Sequence, residues 1–321
     1  MNRTATNHRS PGRLRGKLLV AGLGAGLVAG GVAAAKARAA EPAAKISLPE
    51  VLPDTPIHRG GSGTPLLLIH GFTVTWRTWK PVLPQLEKHH DVIAPTMLGH
   101  SGGSPFDDGV LPTIDALVDG VEAELDRLGL DKVHIAGNSM GGWVALELAR
   151  RGRAKSVVAF SPGGAWSSGP RMTALLAGFR VGIAAATAFG HRAERLALTP
   201  KGRRMLASRQ FEHPERVEPA ELIADIRALK DAPMLRSILN GLTERSLEPL
   251  PDPGCPVRIV WAQRDRVIPY EQYGAPIMKL VPSAELVILN GVGHVPMSDD
   301  PEAVSRLILE VTSKVDAPAT A

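Results

Sequence analysis

The residues with the most chemical content in this chain are Gly137-Asn138-Ser139-Met140-Gly141, a serine framed by glycines between an apolar run, Val133-His134-Ile135-Ala136, and a helical stretch from Gly141 to Arg150. A serine on so tight a strand-to-helix turn is forced into strained backbone angles, and the flanking glycines leave room for neighbouring chain. The hydroxyl is thereby lifted above the carboxyl edge of a sheet. The helix that follows turns its N-terminal dipole and free amides toward any oxyanion formed there. A serine alone is a poor nucleophile at neutral pH and needs a base that a third group orients. His294, in Gly291-Val292-Gly293-His294-Val295-Pro296, and Asp265, in Gln263-Arg264-Asp265-Arg266-Val267, each follow an apolar run that reads as a strand. If those strands are parallel, all three side chains leave the sheet at one edge. Ser139 is then the nucleophile, His294 the base and Asp265 the orienting acid.

Other readings compete at each position. Asp265 could pair with Arg264 or Arg266 as a surface carboxylate, and Asp299 or Asp300 could replace it, although both look like helix-start residues. An oxyanion needs two amide donors. The N–H of Met140, directly after the nucleophile, is one, and the N–H of Phe72, in the loop after Leu66-Leu67-Leu68-Ile69, is the other. His70 could serve as a base or a pocket residue, but beside Gly71 on a strand-to-loop turn a structural hydrogen-bonding role fits better. Cys255, the only cysteine, excludes an intrachain disulfide and reads as a small residue before a strand.

Short apolar runs alternate with amphipathic stretches along the chain, the signature of a mostly parallel sheet covered by helices. Strands are expected at Leu66–Ile69, Asp91–Ala94, Val133–Ala136, Ser156–Phe160, Val257–Trp261 and Glu285–Leu289. The stretch Asp115–Leu128 carries apolar residues at helical spacing and ends at Gly129. A short helix broken by Pro81 and Pro84, another near Tyr270–Leu280 and a final one from Pro301 to Lys314 complete the pattern. Trp166 to Glu248 breaks the rhythm and reads as helices alone. Residues 41–63 read as a leading loop or edge strand, and 316–321 as a disordered tail.

These motifs resemble the α/β-hydrolase superfamily over roughly Leu66 to Leu309. The carriers are His70-Gly71-Phe72, Leu98-Gly99-His100-Ser101-Gly102-Gly103-Ser104, the Gly137–Gly142 turn, Asp265 with Pro269, and Gly293-His294. The order serine, acid, histidine is that of the family. The resemblance implies an α/β fold: a mostly parallel eight-stranded sheet (core 46–165 and 249–315), with a helical lid (166–248) inserted after the sixth strand. Thr96 stands where the family often has Asp, which bears on subfamily rather than mechanism. Haloalkane dehalogenases and epoxide hydrolases of this fold use Asp at the position of Ser139. Esterases, lipases, lactonases, perhydrolases and carbon–carbon bond hydrolases remain. The elbow Gly-Asn-Ser-Met-Gly-Gly is similar to that of the carbon–carbon hydrolases, and Val295-Pro296-Met297 to general esterases.

The expected function is hydrolysis of a small apolar carboxylic ester through an acyl-enzyme, with no metal or cofactor. The alternatives are cleavage of ring-cleavage products at a carbon–carbon bond, or, in another class, a non-catalytic binding protein on the same fold. Trp166, Phe179 and Met234 are the candidate pocket residues of the lid, with Met172, Leu175, Met205, Phe211, Leu235 and Ile238 shared between pocket and packing.

Composition narrows the partners. Seven of the basic residues (Arg3, Arg9, Arg13, Arg15, Lys17, Lys36 and Arg38) precede the first acid, Glu41, and without them the formal charge goes from +5 to −2. The pI near 9.5 therefore does not indicate nucleic-acid binding. The basic leader, the Gly- and Ala-rich run Leu18–Ala35 and the small residues after it read as an export signal, a membrane anchor through residues 18–35, or a disordered tail within 1–45. Oligomeric state is not written in these patterns.

Overall fold

The computed structural model describes residues 47–51, 55–165, 169–232 and 234–318. The basic and apolar segment 1–45, Trp166 and residues 319–321 lie outside them.

Seven strands form one sheet: β1 (Ile57–Gly61), β2 (Thr64–Ile69), β3 (His90–Pro95), β4 (Val133–Asn138), β5 (Ala154–Phe160), β6 (Val257–Ala262) and β7 (Glu285–Leu289). Their order is β1-β3-β2-β4-β5-β6-β7, parallel except for the edge strand β1, which runs antiparallel to β3. This corrects the expected count of eight. Among the described residues before β1 no further strand forms.

Alternation within the strands explains the two faces. Leu67, Ile69, Ile93, Ile135, Val157 and Ile259 face one helical layer, containing α2 (Ile114–Arg127), α3 (Met140–Arg150) and α8 (Ala275–Leu280). Leu66, Leu68, Val92, Ala136, Val158 and Val260 face the other. That layer holds Trp76 and Trp79 of a 3-10 turn, α1 (Leu83–Leu86), and Val304, Leu307, Ile308 and Val311 of the final helix α10 (Pro301–Asp316). Polar caps fix the helix starts: Thr113 Oγ1 accepts from Ala116 N at 3.2 Å before α2, and Asp300 Oδ1 from Ala303 N at 2.9 Å before α10.

Between β5 and β6 the chain builds four helices: α4 (Pro170–Ala197), α5 (Pro200–Ala207), α6 (Pro219–Asp231) and α7 (Leu235–Gly241). Among the described residues the insertion follows the fifth strand, not the sixth. Its apolar residues merge with both sheet-face clusters, Leu175 and Ile238 with one and Ala197 and Ile223 with the other, so it is continuous with the core. By length and composition α4 is apolar enough to cross a membrane; here it packs beside α6, with Gly190 close to Ile226 and Lys230. The chain end corrects a second expectation: α10 runs through Asp316, whose carboxylate meets the fully buried His134 at 3.1 Å. A short helix α9 (Pro296–Asp299) precedes α10.

Candidate active site

Strand order reverses between β2 and β4, since β3 lies to one side of β2 and β4 to the other. The crevice outside the carboxyl ends of two such strands is where open α/β sheets bind ligands. Here those ends are Ile69, leading into His70-Gly71-Phe72, and Asn138, leading into Ser139.

Ser139 has φ 55° and ψ −116°, a left-handed conformation that an L-residue holds only under constraint. The constraint is visible around it. A Cβ on Gly137 would overlap the Gly141 carbonyl, and a Cβ on Gly141 would overlap the carbonyl of Ile69. The turn therefore closes only with hydrogen at both positions. Ser139 N donates to Phe160 O at 2.9 Å, pinning the turn to β5. The Asn138 side-chain amide donates to Phe160 O at 3.2 Å and to His294 O at 3.0 Å, so the residue before the serine holds the backbone of the histidine.

His294 and Asp265 are both buried, and the imidazole Nδ1 lies 2.7 Å from Asp265 Oδ2. The other carboxylate oxygen accepts from Val267 N at 2.9 Å and Ile268 N at 2.8 Å. Two fixed amides thus aim the acid, and the acid fixes the imidazole with Nε2 free to act. Arg264 and Arg266, the rival partners for Asp265, both reach Glu212 instead, at 2.9 Å and 2.6 Å. Among the described residues the Ser139 hydroxyl forms no hydrogen bond with His294. Serine–imidazole contacts of this type are commonly long without substrate and tighten in the reacting complex.

Asp299, read from the sequence as a helix-start residue or a substitute for Asp265, has a different task in the structure. Its buried carboxylate accepts from Gly293 N at 2.7 Å, His213 N at 2.8 Å and Glu212 N at 2.9 Å. It ties the loop bearing His294 to the helical insertion. Asp300 is the cap of α10. The supporting roles of Asn138 and Asp299 are what sequence reasoning missed. Position within the elbow was the only signal for the first, and nothing local marked the second.

Phe72 and Met140, whose amides were expected at the oxyanion, line the same cavity as Ser139. Met140 opens α3, where a helix amide has no intrahelical acceptor. A Cβ on Gly71 would sit 3.4 Å from Ser139 Cβ, which puts the loop bearing Phe72 against the serine. Neither amide has a backbone acceptor among the described residues.

His70 is a brace. Fully buried, it donates from Nδ1 to Gly71 O at 2.7 Å and accepts at Nε2 from Met97 N at 2.9 Å. An obligate acceptor and an obligate donor fix the neutral tautomer, and burial lowers its pKa well below the ordinary imidazole range. His100 packs edge-on to it, ring centroids 4.9 Å apart, and burial pushes that imidazole down to about 4. His70 does not line the pocket and so leaves the candidate pocket set.

An apolar cavity of about 40 Å³ lies over the serine, walled by Phe72, Ser139, Met140, Trp143, Phe179 and Ile268 among others. Met172 and Leu175 also reach it. Met234 does not: it packs with Ile238 against Gly99. Leu235, Ile238 and Phe211 are core, and Met205 is exposed. Burial raises the Cys255 thiol to about 11, the opposite of an activated nucleophile. Among the described residues no group of three His, Cys, Asp or Glu side chains is arranged to hold a metal.

A parallel sheet with a serine elbow at its switch point and a buried acid–histidine pair beside it defines the class of α/β hydrolases. Comparison with known proteins agrees: the sequence profile of the alpha/beta hydrolase family matches residues 66–307, and the chain belongs to that family. The epoxide hydrolase EphH of Mycobacterium tuberculosis is 37% identical over 199 residues, spanning 60% of this chain and 91% of that protein. A 2-hydroxy-6-oxo-2,4-heptadienoate hydrolase of Pseudomonas putida is 37% identical over 101 residues, which cover 30% of this chain and 36% of that protein. Among solved structures, a thermophilic esterase from Thermogutta terrifontis superposes with a TM-score of 0.60 at 25% identity, covering 81% of this chain and 93% of that one.

Proposed function

We propose that this α/β hydrolase cleaves carboxylic esters of apolar acids or alcohols through an acyl-enzyme on Ser139. The observation that carries the reading is the 2.7 Å contact between the buried Asp265 and His294, with Asp265 locked by two amides next to a strained serine elbow. A carboxylate held this way stabilises the imidazolium that forms when His294 Nε2 takes the serine proton.

In the reaction Ser139 Oγ attacks the ester carbonyl, and the oxyanion lies against the amides of Phe72 and Met140. The tetrahedral adduct collapses as His294 returns the proton to the alkoxide leaving group. Water, deprotonated by the same imidazole, then attacks the acyl-serine, and the imidazolium returns that proton to Ser139 Oγ as the acid is released. All of this uses the chain's own side chains and amides. The apolar walls around Ser139 support an apolar substrate.

The test is turnover of p-nitrophenyl butyrate and labelling by a fluorophosphonate in wild type and Ser139→Ala. Loss of both in the variant supports the reading; undiminished turnover in the variant refutes it. Absence of any adduct on wild-type Ser139 would favour the non-catalytic binding protein.

Carbon–carbon bond cleavage is the second reading, favoured by the Gly-Asn-Ser-Met-Gly-Gly elbow and by similarity to the Pseudomonas putida hydrolase. A vinylogous diketone assayed beside the esters separates the two. Similarity to the relative named an epoxide hydrolase adds epoxide opening as a further reading, against which stands the hydroxyl at the elbow, where epoxide hydrolases of this fold use a carboxylate.

A further inference from the structure

Two further cavities share a wall with the apolar space over Ser139. Phe179 lines that space and both of the others. One, of about 70 Å³, is lined by Thr73, Gly182, Ala186, Leu222, Ile226 and Leu229 among others. The other, of about 20 Å³, reaches toward Arg209 and Val267. Among the described residues Phe179 is the one side chain on the wall of all three. Its ring stands edge-on to that of Phe72, centroids 5.3 Å apart at 84°.

The larger of these cavities has a cause in the sequence of α4. Gly178, Gly182, Ala186 and Gly190 recur every fourth residue, so one face of the helix carries at most a methyl group. At Gly190 the gap is nearly closed, since a Cβ there would lie 3.6 Å from the Lys230 side chain and 4.0 Å from that of Ile226. Earlier along the helix, at Gly182 and Ala186, Leu222, Ile226 and Leu229 face the small residues without filling the space. The walls are chiefly apolar, with Thr73, Gln210 and Asp225 the polar exceptions, and offer ordered water few partners. The space is also several times what one water molecule requires.

The void is joined to the chemistry by one peptide. Phe72 belongs to the serine cavity and Thr73 to the wall of the distal one, and Thr73 is held at φ 79° where the loop turns between them.

We propose that the distal cavity is a subsite for the far end of an unbranched aliphatic chain, and that Phe179 is the partition that sets how long a chain is accepted. This rests on the ester-hydrolase reading for the reacting end of the substrate. Swinging the Phe179 ring off Phe72 joins the two spaces into one slot, which the small-residue face of α4 floors.

The test measures binding, so it does not depend on turnover. In Ser139→Ala protein, dissociation constants are measured for p-nitrophenyl butyrate, hexanoate and octanoate. Each methylene that enters the subsite tightens binding about fourfold. Adding Phe179→Ala raises the preference for octanoate over butyrate about tenfold or more by removing the partition. Adding Ala186→Leu, which fills the cavity instead of opening it, lowers that preference. Unchanged octanoate-to-butyrate ratios in both variants overturn the proposal. Failure of the ester reading shows separately, as a wild-type chain that no fluorophosphonate labels, whatever the binding ratios are.

Discussion

Replacing Asp299 by Asn tests whether the carboxylate that ties the histidine loop to the helical insertion controls both stability and rate. Three amides converge on it: Gly293 N and Glu212 N on Oδ2, His213 N on Oδ1. An asparagine offers one carbonyl oxygen and one NH2, so in either orientation at least one backbone N–H faces another donor. Hydrogen bonds to a buried charged group contribute about 1.5–3 kcal/mol each, and an amide left unpaired carries its own desolvation cost. A loss of about 2–3 kcal/mol is expected, which lowers the melting temperature by about 4–6 °C in a domain of this size. Gly293 precedes His294, so the imidazole is displaced as well. Misplacement of a catalytic group by about 1 Å can reduce turnover about a hundredfold. The assays are thermal unfolding followed by circular dichroism, and ester hydrolysis at a temperature where both proteins are folded. The expected result is a fall in kcat of about ten- to a hundredfold with KM little changed. A variant that melts with wild type and keeps its kcat refutes the role given to Asp299.

Other outcomes follow from the same geometry. Asp265→Asn should keep the fold but present an NH2 to His294 Nδ1, stabilise the wrong tautomer and lower kcat by about 10³–10⁴; retention of wild-type kcat argues against Asp265 as the orienting acid. Gly141→Ala places a methyl group on the Ile69 carbonyl, so soluble expression is expected to collapse, and a folded, labelled Gly141→Ala protein would disprove the tight elbow. Acid should unfold the chain through its neutral buried histidines. His100 titrates near its ordinary 6.5 when unfolded and at about 4 when folded, so stability is full above pH 6.5 and falls as pH drops toward 4. The loss amounts to roughly 3 kcal/mol for His100, with a further contribution of the same sign from His70. Urea midpoints that match at pH 7.5 and pH 5 would contradict this.

The sequence by itself determined the parts that depend on local pattern. Continuous apolar runs at Leu66–Ile69 and Val157–Phe160 mark strands covered on both faces, because successive side chains leave a strand on opposite sides. Glycines around Ser139 announce the elbow, because only hydrogen fits between β4, α3 and the β2 carbonyls. Placement of Asp265 and His294 after parallel strands was enough to bring them to one edge, where they meet at 2.7 Å. What only the tertiary structure decided are choices among partners far apart in the chain. Glu212 takes Arg264 and Arg266 away from Asp265, Asp299 collects amides from positions 212, 213 and 293, and Asp316 reaches back to His134. Periodicity also named Phe179 and Met234 as equivalent pocket residues, yet one walls three cavities and the other packs on Gly99. Apolar spacing records that a side chain is buried, while helix crossing and sheet register determine which neighbour it is buried against.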